Sequence, residues 1–144
     1  MGDVNGSDKH YSFSIPACNE GRRLHLFECA IDLLSYCTLE LLSGRDWQQD
    51  CCLSLAGIYK PKKNIGESTP PAALMQYLKD FPLINDIVLH LDNDVPGRLA
   101  AKAIQTILLP TYTVYGEPPK HGKDYNDYLK IVLGIRWPQE PERL

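Results

Sequence analysis

The segment Ile87-Val88-Leu89-His90-Leu91-Asp92-Asn93-Asp94 constrains this chain most, because a nearly continuous apolar run stops abruptly at two acids with one residue between them. Such a run reads as a parallel strand buried on both faces, and open α/β sheets gather their ligands beyond the carboxyl ends of such strands. Residues two apart on a strand share a face, about 6.5 Å apart along it. Asp92 and Asp94 can therefore converge on one cation if a third oxygen ligand arrives from a neighbouring strand. Leu24-His25-Leu26-Phe27-Glu28 offers that ligand, since a second short strand ends in an acid where a helical pattern begins.

The rest of the chain alternates strand-like and helix-like segments, as βα units and a mostly parallel sheet require. Residues 11–15 alternate in polarity and are expected to pair with residues 24–28 across the turn Asn19-Glu20-Gly21-Arg22. From Ala30 to Leu42 the apolar positions follow helical spacing, and Ser43-Gly44 supplies a stop. Residues 51–56 form the next strand, ended by Gly57. A long loop, residues 60–71, carries Lys60, Lys62 and Lys63 and leads into a helix from about Ala72 to Asp80. Asp94 is placed to cap a helix that Pro96 starts and that Pro110 closes. Residues 111–115 give a fourth parallel strand and residues 124–133 a last helix. The domain accordingly spans residues 22–133, preceded by an extension (1–21) with a possible antiparallel edge strand and followed by an irregular tail (134–144).

At 144 residues the chain suits one domain, because a chain of this size buries about two-thirds of its unfolded surface. No apolar run approaches the roughly 20 residues of a membrane span, and residues 1–10 lack the apolar stretch of a signal peptide. A cytoplasmic protein without a membrane partner is expected. Five cysteines without a CxxC pair argue against a zinc site or disulfide framework. The net charge of −3 argues against a free-standing duplex binder, which needs clustered Lys and Arg to neutralise phosphates.

Taken alone, the acid pair reads equally well as a turn and helix N-cap. Two other readings fit poorly. An EF-hand loop beginning at Asp92 would put Pro96 at a ligand position and Ala103 where a bidentate glutamate belongs. A haloacid-dehalogenase type motif wants Thr or Val where this chain has Pro96.

The full order of elements discriminates further. An acid ends the first parallel strand, Asp32 follows in Ala-Ile-Asp, and a DxD pair precedes Pro96-Gly97-Arg98 and an alanine-rich helix. Gly122-Lys123-Asp124-Tyr125-Asn126-Asp127 follows the fourth strand. Over residues 22–133 this arrangement resembles the Toprim domain of DnaG-type primases, topoisomerases, OLD-family nucleases and small ribosomal-RNA maturases. It looks closest to Toprim-like modules in primase-related proteins of bacterial plasmids and integrative elements.

The resemblance implies a Rossmann-like α/β fold with about four central strands and flanking helices. It implies that Glu28, Asp92 and Asp94 are the catalytic acids and bind Mg²⁺, or Mn²⁺ in its place, through hard oxygen ligands. Glu28 has a second reading as a general acid or base, since clustered like charges raise a carboxyl pKa. Asp32, one turn after Glu28, either backs the site or complements the helix dipole. Arg98 and Lys123 are the nearest cations for a phosphate, and Asp124 and Asn126 match the family's final motif while also suiting a helix cap. His25 and His90 read as satisfied core histidines. Cys29 departs from the family, where glycine commonly follows the glutamate. The implied activity is Mg²⁺-dependent phosphoryl transfer on nucleic acid by a DNA primase-like nucleotidyltransferase. The alternatives are a Toprim nuclease using the same acids and a non-catalytic module that binds DNA or protein. Single-stranded or primed DNA, held weakly by the chain alone, and other domains or proteins of a replication or mobilisation complex are the expected partners.

Overall fold

The sheet is built outward from its central strand. In the computed structural model, which describes residues 10–56, 59–61, 63 and 69–135, strand β2 (Arg23–Phe27) has neighbours on both sides. The expectations for residues 1–9, Gly57, Lys62 and the tail beyond residue 135 lie outside the described residues. In chain order the other elements are β1 (Ser14–Ile15), α1 (Ala30–Leu42), β3 (Cys51–Ser54), α2 (Ala72–Asp80), β4 (Asp86–Leu89), α3 (Val95–Leu108), β5 (Thr113–Gly116) and α4 (Tyr125–Val132). The strand order is β1-β3-β2-β4-β5, all parallel except the antiparallel edge strand β1.

Alternation along each strand separates two cores. Leu24, Leu26, Leu53, Ile87, Leu89 and Val114 pack with Leu74, Leu78, Ala100, Ile104 and Leu108, so α2 and α3 cover one face. Phe27 and Cys52 face the other way and pack with Leu33, Tyr36, Leu39 and Tyr125, so α1 and α4 cover the second. Leu24, Leu26, Phe27 and Ile87 are fully buried. Each such side chain contributes about 1.5–3 kcal/mol relative to leaving it in water.

Two expectations are corrected. The N-terminal strand pairs with β3, through Ser14–Leu53 and Ile15–Cys52, and not with residues 24–28. Both edges of β2 are taken by β3 and β4, and β1 adds on the outer edge of β3. The acid pair also lies beyond its strand. Pairing in β4 ends at Leu89, with the His90 amide donating to the Leu26 carbonyl at 2.8 Å as a last rung. Asp92 and Asp94 thus belong to the loop before α3 and share no strand face. The chain turns early because Asp94 takes the N-cap, its side chain accepting from the Gly97 amide at 2.7 Å, and Pro96 stands in the first turn where its missing N–H is not needed.

Gly97 holds that loop tightly. A Cβ at residue 97 would lie 2.0 Å from the Asp92 carbonyl oxygen, backbone that cannot step aside without moving the acid loop. Gly97→Ala is therefore expected to destabilise the chain by about 1–3 kcal/mol in urea unfolding, despite alanine's better helix propensity. An unchanged or higher midpoint would show that the loop does not press on the helix there.

Candidate metal centre

The strand order reverses between β2 and β4: β2 leads through α1 to β3 on one side, and β4 leads through α3 to β5 on the other. Ligand crevices of open α/β sheets form at such a point, beyond the carboxyl ends of the strands. Four acids meet there. Glu28 follows β2, Asp32 lies in the first turn of α1, Asp92 follows β4, and Asp124 caps α4 by accepting from the Asp127 amide at 2.8 Å. Asp32, Asp92 and Asp124 each place a carboxylate oxygen within 4.8 Å of the other two. Glu28 and Asp92 hydrogen-bond to each other through their side chains. Glu28 is 8% exposed and Asp32 only 3%, so neither dissipates its charge into water.

The electrostatics follow from that crowding. Burial first, then the charge and hydrogen bond of Glu28, push the Asp92 carboxyl up to about 8. Burial likewise raises Glu28, partly offset by the hydrogen bond from Asp92, with Asp94 and Asp32 adding like charge. Asp32 is raised by burial and by Asp124, while the Cys29 thiol at 3.1 Å and the Asn126 amide at 3.2 Å donate to its two oxygens. Without a cation the crowding thus favours the protonated form of Asp92 up to about pH 8. An all-oxygen donor set that must hold a proton to relieve its repulsion suits a hard divalent cation, which takes carboxylate oxygens and displaces such protons.

The remaining sequence candidates take distinct places. Asp94 is beside the cluster and close enough to raise Glu28, but its oxygens face the Gly97 amide and, at 3.6 Å, the Lys123 ammonium. Lys123 is exposed, and its own pKa is raised by Asp94 and then Asp92. The Lys123 carbonyl accepts from the Asn93 amide at 2.7 Å, which joins the acid loop to the turn before α4. Gly122 in that turn has φ +76, and a Cβ there would meet the Asp127 side chain at 2.6 Å. Arg98 is exposed and donates to the Asn93 side chain at 3.2 Å. Cys29 has an extended backbone, φ −142, that any residue adopts. Its thiol, raised to about 11 chiefly by burial, serves as a donor to Asp32. The sequence reading placed Asp32 and Asp124 around the site. That they stand nearer to Asp92 as a set than Asp94 does has no local signal, since it depends on how α1 and α4 pack; each acid by itself reads only as the opening of a helix.

An open, mostly parallel α/β sheet with carboxylates gathered beyond its strand ends at the switch point defines the class of domain to which the chain belongs. Residues 25–129 match the Toprim-like family, and the chain belongs to it. Among solved structures, the primase fragment of the bacteriophage T7 primase-helicase protein shares the fold at a TM-score of 0.50 and 20% identity, over 81% of this chain and 44% of that one. The chain thus corresponds to less than half the length of that fragment. No curated protein sequence matches. Among the described residues no helix is long and apolar enough to cross a membrane.

The raised Asp92 carboxyl predicts a pH dependence with a definite sign. Its ordinary value is near 4, and the folded chain favours the protonated form up to about 8. This contribution to stability is complete below about pH 4 and is lost as the pH rises through about 8. In melting curves recorded with a chelator present, Asp92→Asn should gain on the wild type steadily across that window. Parallel curves for the two proteins would show that the Asp92 carboxyl is not crowded.

Proposed function

We propose that this chain is a Mg²⁺-dependent phosphoryl-transfer module acting on nucleic acid, the catalytic core of a DNA primase-like protein. The observation that carries the reading is the convergence of carboxylate oxygens from Asp32, Asp92 and Asp124, with Glu28 bonded to Asp92, at the β2–β4 switch point of a Toprim-like fold. Asp92, Glu28, Asp32 and Asp124 would hold Mg²⁺ or Mn²⁺, with Asp94 at the margin of the set. A bound divalent ion supplies charge neutralisation for phosphoryl oxygens and fixes their orientation.

The chain's own groups supply the rest. Glu28, buried and with its carboxyl pKa raised by that burial, is fitted to accept and return a proton beside Asp92. Lys123 and Arg98, both exposed at the rim of the acid loop, are placed to attract a phosphate. Asn93 keeps these two in register, since its side chain accepts from Arg98 and its amide donates to the Lys123 carbonyl. Two rim cations against a net charge of −3 give little grip on a duplex. The reading therefore assigns substrate binding largely to other domains or proteins of a replication or mobilisation complex, a view supported by the greater length of the T7 primase fragment.

Two measurements test this reading. Mn²⁺ or Mg²⁺ should raise the melting temperature by mass action, and Asp92→Asn should remove most of that gain; equal stabilisation of both proteins would dismiss the acids as the site. On primed single-stranded DNA the isolated chain should bind weakly, with affinity falling steeply as salt is raised, and should extend the primer negligibly. Metal-dependent strand cleavage without nucleotide incorporation would replace the primase reading with a nuclease. The absence of any metal effect would leave a non-catalytic binding module.

A further inference from the structure

Behind the acid cluster, under α1 and α4, runs a buried polar column that the proposed chemistry does not use. His25 Nε2 lies 2.8 Å from Asp50 Oδ2, and His25 Nδ1 lies 2.6 Å from His90 Nε2. His90 Nδ1 in turn lies 2.9 Å from the Tyr125 hydroxyl and 3.0 Å from the Glu117 carbonyl, to which that hydroxyl donates at 2.7 Å. The rings of His25 and His90 stack at 4.9 Å, and His90 stacks on Phe27 at 4.8 Å. His90 is 1% exposed and Tyr125 5%.

The donors and acceptors give the column its order. A carboxylate and a carbonyl only accept, so His25 Nε2 donates to Asp50 and His90 Nδ1 donates toward Glu117 and the Tyr125 oxygen. With its proton on Nδ1, His90 presents a bare Nε2 to His25 Nδ1, so His25 bridges His90 and Asp50. Burial and the neighbouring His25 hold His90 well below the ordinary imidazole range, in keeping with a single ring proton. Each hydrogen bond fixes the orientation of the next, which is the condition for a buried polar network to be rigid.

The column ends on Tyr125, the first residue of α4 and the neighbour of Asp124. One residue further, the Asn126 amide donates to Asp32. Resting on the metal-binding reading above, we infer that the Asp50–His25–His90–Tyr125 column is a positioning device that fixes the first turn of α4 and thereby sets Asp124 and Asp32 against Asp92. Among the described residues none of its four side chains hydrogen-bonds to the three-acid cluster, so their effect on it passes through the backbone of α4 and the loop after β4. Groups that orient metal ligands in this way typically change affinity by about 10–100-fold when removed.

The test separates position from stability. Tyr125→Phe keeps the ring and its packing and removes only the hydroxyl. In the purified chain, Mn²⁺ affinity by titration calorimetry should fall roughly tenfold, and amide hydrogen exchange at Asn126 should quicken even without metal. Asp50→Ala, at the far end of the column, should shift both readouts in the same direction. Leu78→Ala, which truncates the core on the opposite face of the sheet from the column, should lower the melting temperature yet leave the Mn²⁺ affinity of the folded chain unchanged. Wild-type affinity together with wild-type Asn126 exchange in Tyr125→Phe would overturn the inference. If the wild type itself bound no Mn²⁺, the functional reading would fail, and the positioning of α4 would stand or fall on the exchange measurement alone.

Discussion

The parallel pairing of β2 with β4 is the interaction on which the remaining structure depends. Leu24 lies opposite Ile87 and Leu26 opposite Leu89, and the His90 amide adds one more rung to the Leu26 carbonyl before the strands part. Both strands are buried on both faces, so a slip of one residue would exchange the leucine face for the histidine and phenylalanine face and ruin two cores together. This register delivers Glu28 and Asp92 side by side beyond the sheet. The acids do not find each other by attraction; the main chain holds them together against their repulsion.

That arrangement divides stabilising and functional work between regions of one small domain. Leucines and isoleucines of the sheet, fully removed from water, supply cohesion at about 1.5–3 kcal/mol each. The carboxyl end opposes it with four crowded acids, relieved by protonation of Asp92 and by donors from Cys29 and Asn126 to Asp32. A local conflict sustained by a stable surround is the usual mark of a functional site. Aromatic packing beneath the acids has the same logic. Phe27, Tyr36 and Tyr125 enclose the two histidines, exclude water, and so strengthen the hydrogen bonds that run between them.

Much of this was legible in the sequence wherever the signal is local. Helices α1, α2 and α3 fall within a residue of their expected limits, because apolar period, Pro96, Asp94 and Ser43-Gly44 all act over a single turn. The edge strand was legible as a strand, but its partner was not, since that depends on which sheet edge remains free once β2 has two neighbours. The acid pair was legible as following a buried strand but was misplaced on a strand face, because strand length is decided by the partners, and both registers stop at Leu89. The nearness of Asp32 and Asp124 was the least legible feature. It arises from packing of α1 on α4, sealed by the Asn126 amide on Asp32 and by Ser35 on the Asn126 side chain at 3.5 Å, a contact between residues 91 positions apart.

The two acids of the Asp-Asn-Asp motif, alike in sequence, are driven to different surroundings by the helix that follows them. Asp92 precedes the turn and is pressed toward Glu28, because the Gly97 backbone packs directly on its carbonyl. Asp94 is drawn back onto the helix, where one oxygen meets the Gly97 amide and the other faces Lys123. Asp92 is therefore the acid whose protonation a cation would change most. Asp94 links the geometry of α3 to the position of a rim cation, and Asn93 between them ties the same loop to the entry of α4. The spacing of one residue is thus what the fold requires: one carboxylate is committed to the cluster, the other to the helix start, and the intervening amide couples both to the turn that carries Asp124.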